Sequence, residues 1–273
     1  MISGFVFEFK YPNINLKKQI FKLLKMIILS NLLFFIWGVL YYCCYLETMS
    51  FKEFLLYLTD GENWYKKIIG YLFYHKVLVY KAYHLWYLNA LLYTWIIVFV
   101  SRRLFGEKGM KVLYFMTPLL LIYAVAHSNY ATILFGYFKE EETRNFLFCG
   151  IPYFCIGSWI NKKRRYFDLA FSKKVYFVCL LAFCLLVCLE EYILLNVRTA
   201  KMGDYFIGTA CQAIALFLLF KKINMSKSKS KLMKLLVYIG KKHSTFIYLM
   251  HPIFHLVIWN ILGVLNVQYI YKK

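Results

Sequence analysis

Apolar residues along this chain come in blocks about twenty long, separated by short polar gaps. A helix rises ~1.5 Å per residue, so about twenty such residues cross the ~30 Å hydrocarbon core of a bilayer. The pattern predicts seven helical spans, at about 26–46, 84–100, 111–127, 145–161, 175–189, 204–220 and 244–265. The expected fold class is all-α: a polytopic transmembrane helical bundle forming a single domain over residues 1–273. Residues 1–25 are basic and only mildly amphipathic. They carry no small-residue cleavage site and read as a cytoplasmic segment rather than a signal peptide.

Composition supports the pattern. Of 273 residues 62% are hydrophobic and 17% charged, which is too little polar surface for a soluble domain of this length. The net charge is +21, from 34 Lys and Arg against 13 Asp and Glu. On a soluble chain that excess would suggest a nucleic-acid partner. Here the basic residues fall in the gaps between apolar blocks, where membrane topology accounts for them and nucleic acid is not expected.

Alternate gaps differ in sign. The N-terminus and the gaps at 101–111, 161–174 and 221–243 are strongly basic, whereas 47–83, 128–144 and 190–203 are mixed or acidic. The positive-inside rule then places the N-terminus in the cytoplasm and the C-terminus outside, in the inner or plasma membrane. Within the basic loop 221–243, the stretch KLMKLLVYIG at 231–240 is amphipathic, suited to an anionic leaflet surface. Membrane lipids are thus one expected partner.

Eight cysteines supply no CxxC pair, and six of them lie inside apolar blocks, as small packing residues do.

Three polar sets at membrane depth are candidates for chemistry, since ionisable groups there are expensive. His84 opens span two in HLWYLNALLY, followed by Trp86 and Tyr87. Those residues suit an interfacial aromatic belt, or a polar cavity mouth at which a histidine serves as acid or base. Arg144 heads a span bearing Pro152 in mid-run. The arginine suits a snorkelling anchor or a bidentate anion ligand, and the proline a kink beside a cavity. Span seven carries Tyr248, His251, Pro252 and His255, the histidines four apart on one face. Such a stripe lines a cavity or bonds between helices; a metal site is not expected, because no third ligand or HExxH pattern accompanies the pair.

With these sets on the page, the chain resembles the integral-membrane acyltransferase family of the acyltransferase 3 type, which O-acylates cell-surface glycans. HLWYLNALL at 84–92, RNFLFCGIPYFCIG at 144–157 and GKKHSTFIYLMHP at 240–252 carry the resemblance, in order, over about residues 15–265. It implies transfer of an acyl group, commonly acetyl, from acyl-CoA to a hydroxyl of a cell-surface polysaccharide or lipid-linked sugar. It also implies His84 and His251 as catalytic candidates, with Trp86, Arg144 and Tyr248 lining the substrate site; His255, on the His251 face, is expected to line it by its spacing. The family's usual first helix, with a basic residue and a histidine about three turns on, has no counterpart in span one. The basic N-terminus and span one instead resemble the family's segment beyond its first helix pair, so that pair is expected to be lacking. A second class of function is a non-catalytic membrane protein, either a transporter for a lipid-linked sugar or an inactive partner subunit. No internal repeat speaks for the transporter.

Overall fold

The computed structural model describes residues 1–11, 13–45, 52–53, 64–74, 83–136, 143–197, 203, 205–223 and 230–264. Its helices are α1 (Ile2–Lys10), α2 (Leu16–Tyr45), α3 (Trp64–Tyr74), α4 (Trp86–His127), α5 (Ala131–Phe135), α6 (Ile151–Lys162), α7 (Arg164–Ala170), α8 (Lys173–Leu195), α9 (Ile207–Lys222), α10 (Lys231–Lys242) and α11 (Ser244–Val264). A 3₁₀ turn, Tyr83–Leu85, leads into α4, and a π-helical turn, Phe146–Gly150, leads into α6. There is no strand among the described residues. Three helical stretches there are long and apolar enough to cross a membrane: Leu16–Leu40, Trp86–His127 and Lys173–Leu195.

The α4 stretch is two limbs. Gly106 breaks it at φ 56° and ψ −136°, a left-handed conformation open to glycine at little steric cost. A methyl group on Gly109 would lie 2.6 Å from the Ser101 carbonyl oxygen, eight residues earlier. In a continuous helix those positions stand about 12 Å apart. The chain therefore reverses at Gly106, and the limbs, which cover the apolar runs 84–100 and 111–127, fold back on each other.

The first limb runs parallel to α6. Phe146 packs on Tyr93, Phe154 on Trp95, and Gly150 faces Ala90 and Thr94. A side chain on Gly150 would collide with the Thr94 hydroxyl, which donates instead to the Ala90 carbonyl at 2.7 Å. Small residues let helices approach closely in a membrane, where packing rather than hydrophobic burial drives association.

Pro152 does not kink the helix in mid-course as its position in the apolar run suggests. It occupies the first turn of α6, where the missing N–H has no helical acceptor to lose. The irregularity falls just before it, where the Gly150 N–H reaches back five residues to the Asn145 carbonyl at 3.3 Å. The Asn145 side chain accepts from the N–H groups of Leu147 and Phe148, capping this start.

The N-terminal residues also depart from expectation. Residues 2–10 form a helix packed inside the bundle, and α2 begins at Leu16, well before the expected start of span one. A methyl group at Gly4 would meet the Phe154 backbone, and one at Gly157 the Met1 backbone. Phe7 is fully buried between Trp95 and Phe154.

The basic gaps gather at one end. Lys162 pairs with Glu107, Lys221 with Asp168 at 2.8 Å, and Lys222 donates to the Asp168 and Phe171 carbonyls. The described residues of the gaps at 128–144 and 190–203 meet at the other end. There the Asn129 amide donates to the Tyr205 carbonyl at 2.8 Å, and Tyr130 donates to Glu190 at 2.7 Å. Glu190 also accepts the Ile207 N–H at the start of α9, where the helix dipole favours a carboxylate. Burial, followed by the Glu190 carboxylate, pushes the Tyr130 phenol up to about 12, so it stays a donor at neutral pH. Cys149, Cys155, Cys179, Cys184, Cys188 and Cys211 are free thiols.

Candidate functional site

At the end away from the basic gaps, α2, the Tyr83–Leu85 turn and α11 converge on His84. The imidazole is buried, at 9% exposure. Its ring centroid lies 5.0 Å from that of Phe34, 5.4 Å from Tyr248 and 5.1 Å from His251, the last at an interplanar angle of 72°. The Tyr248 hydroxyl donates to the His84 carbonyl at 2.5 Å, fastening the mouth of α4 to α11.

Pro252 explains the state of His251. In a helix the N–H of residue 252 would bond the carbonyl of residue 248, and proline has none to give. The Tyr248 carbonyl is thereby released, and the His251 Nδ1 lies 2.8 Å from it. A carbonyl only accepts, so Nδ1 carries the proton in this bond. The neutral ring then has its lone pair on Nε2. His251 is exposed. A Tyr-x-x-His-Pro sequence on a helix thus orients an imidazole through local chemistry alone.

Trp86 and Tyr87 rim the site. Trp86 is half-buried and packs edge-on against Tyr87 at 6.2 Å, and Tyr87 lies 6.1 Å from Tyr248. His255 is exposed one turn beyond His251 on the same face. Arg144 is half-buried just before Asn145, at the same end of the bundle because the first limb of α4 and α6 run parallel. The structure thus brings His84, Tyr248 and His251 into one cluster with Trp86 at its rim, and sets Arg144 at the mouth of the neighbouring helix. Among the described residues no group of three or more His, Cys, Asp or Glu is placed to hold a metal.

Alternating charge puts the starts of spans two and seven on opposite membrane faces. The contacts of His84 with the first two turns of α11 put them at one level of the bundle instead. Between Lys222 at the basic end and Ser244 near His84 the chain therefore travels toward the other end. Its amphipathic helix α10 leaves Leu232, Leu235, Leu236 and Tyr238 exposed.

Sequence reading missed a second polar cluster, at the basic end. Arg102 is buried and donates to both oxygens of Glu8, at 2.5 and 3.3 Å, and to Glu107 at 2.7 Å. Its guanidinium also lies 3.9 Å from the centroid of the Tyr11 ring. Ser158 donates to Glu8 at 2.8 Å, and Tyr114 and Ser158 share a further 2.8 Å bond. The signal was available, since Glu8 is the one acidic residue in the first 46 positions.

Two histidines, one oriented by its own helix and one buried beside it, thus meet at one end of the helical bundle. The acyltransferase-domain family of the acyltransferase 3 type matches residues 1–271, and the chain belongs to that family. Membership makes it a membrane-associated acyltransferase in class. No curated protein and no solved structure matches it.

Proposed function

We propose that the protein is a multi-pass enzyme of the inner or plasma membrane that moves an acyl group, acetyl in the simplest case, from acyl-CoA to a hydroxyl of a cell-surface polysaccharide or lipid-linked sugar. The observation that carries this reading is the His251–Tyr248 bond, which aims Nε2 away from the helix as a base. His251 takes the proton from the acceptor hydroxyl as its oxygen attacks the thioester carbonyl. The carbon–oxygen bond forms, the carbon–sulfur bond breaks, and the proton passes to the departing thiolate of coenzyme A. General-base help of this kind is worth ~10²–10⁴-fold in rate. His84, in edge contact with the His251 ring, fixes its attitude. Arg144, at the same end, binds a carboxylate or phosphate on the acceptor in this proposal. The basic gaps at the other end offer counter-charge to the phosphates of the donor.

In topology, the proposal has the basic end cytoplasmic and the His84 end facing out. That arrangement suits an acceptor arriving from the cell surface. The test is transfer of labelled acetyl from acetyl-CoA to a panel of glycans, in membranes containing this chain. Incorporation that disappears in His251→Ala and His84→Ala, with both variants inserted at wild-type level, is the expected result. Full activity in the double variant would remove both histidines from the mechanism.

A further inference from the structure

The second limb of α4, α6 and the start of α9 border an open cavity of about 500 Å³ on the flank of the bundle, away from His84. Pro118, Ile122, Ala126, Tyr130, Tyr153 and Ala210 are among its walls. We propose that this cavity binds one hydrocarbon chain of a bilayer phospholipid, with the headgroup at the Tyr130 end.

Shape is the first argument. The walls run along α4 from Pro118 to Ala126, eight residues and about 12 Å of helix, and continue past its end to Tyr130 and Leu134. One leaflet of a ~30 Å hydrocarbon core is about 15 Å deep. The cavity therefore starts near mid-membrane and ends at one interface, as an extended lipid chain does.

Chemistry along its length agrees. Proline, leucine, isoleucine, valine and alanine side chains, with aromatic rings, form the deep walls. Fixed polar groups appear at the interface end. There Tyr130 bonds Glu190, Asn129 bonds the Tyr205 carbonyl, and Ser128 accepts from the Tyr205 N–H at 3.2 Å. Walls of this kind stay dry unless hydrocarbon fills them. The mouth opens beside Ile122, Leu134 and Ile207, which are 66%, 58% and 60% exposed on the apolar flank. Lipid is the medium on that side, so a chain enters sideways with no aqueous passage.

A phospholipid bearing a photoreactive diazirine midway along one acyl chain tests the proposal, with the whole protein in lipid nanodiscs. Labelling of residues 118–134 and 205–210 is expected to saturate at low probe fraction. Labelling around Leu185 and Leu189, exposed on α8, is expected to rise in proportion to the probe. Ala126→Phe and Ala210→Phe, which fill the cavity, should lower the first signal several-fold and leave the second unchanged. Wild-type labelling of the cavity segments that rises linearly, in step with α8, would overturn the proposal whatever the variants do. Saturable labelling untouched by both folded variants would overturn it too.

Discussion

His251 and Tyr248 are joined twice over. The imidazole Nδ1 holds the Tyr248 carbonyl at 2.8 Å, and the Tyr248 hydroxyl holds the carbonyl of His84, whose ring lies against that of His251. The first bond exists because Pro252 cannot bond the Tyr248 carbonyl.

Pro252→Ala should therefore separate stability from activity. Alanine restores an N–H that competes for the Tyr248 carbonyl, and proline inside a helix costs about 3 kcal/mol relative to alanine. The variant should melt no lower than wild type. Its transfer rate should fall at least about tenfold, as a base freed from its orienting bond does. Thermal unfolding in detergent and the kcat for acetyl transfer are the two readouts. A wild-type kcat would show that the carbonyl does not orient His251.

Tyr248→Phe removes the hydroxyl and keeps the ring. The buried His84 carbonyl loses a donor, a loss of roughly 1–3 kcal/mol. The mouth of α4 should loosen from α11, with lower thermal stability and reduced transfer. The pH profile should keep its shape, because the base itself is intact. A changed profile would mean that Tyr248 takes a direct part in proton transfer.

The parts of the fold legible in sequence were those governed by long-range averages. Apolar blocks located the limbs of α4 and helices α6, α8, α9 and α11, with ends off by up to about six residues. Lysine counts separated the gaps into two sets, and up to Lys222 those sets meet at opposite ends. Local contests were less legible. Pro152 looks the same in sequence whether it kinks a span or begins a helix, and the contest is decided by the Asn145 cap and the close approach at Gly150. Residues 1–10 read as basic tail because their partners, Phe154, Gly157 and Ser158, lie about 150 positions away. His84 and His251 were singled out on the cost of polar groups in lipid, yet their contact depended on packing that no spacing reveals. The rise of the chain between Lys222 and Ser244 left no mark in charge, since lysines serve a loop and an amphipathic helix equally.

The Glu8–Arg102 pair should matter most for stability. Arg102→Ala strands a buried carboxylate, and breaking one partner of a buried pair is worth about 3–5 kcal/mol. Glu8→Gln should cost less, because Arg102 keeps Glu107 and Ser158 keeps an acceptor. A double-mutant cycle should show coupling of at least about 1 kcal/mol, read from thermal or denaturant unfolding. Additive losses would mean that the two side chains act independently.

Gly157→Ala tests the docking of α1. The added methyl would meet the Met1 backbone, which no rotamer change relieves, so α1 must shift along α6 or leave it. Overpacking of this kind destabilises by about 1–3 kcal/mol. Displacement would also pull Glu8 from Ser158 and Arg102, which lie on the same side of α1. The variant should expose residues 1–11 to protease before the rest of the chain, while α8 and α9, which pack on each other through Gly208, stay protected. Gly157→Ala combined with Glu8→Gln should then lose little more than Gly157→Ala alone, since the glycine change has already broken the ion pair. Fully additive losses would show that α1 keeps its seat when Gly157 is filled, and that the close approach is not what holds it.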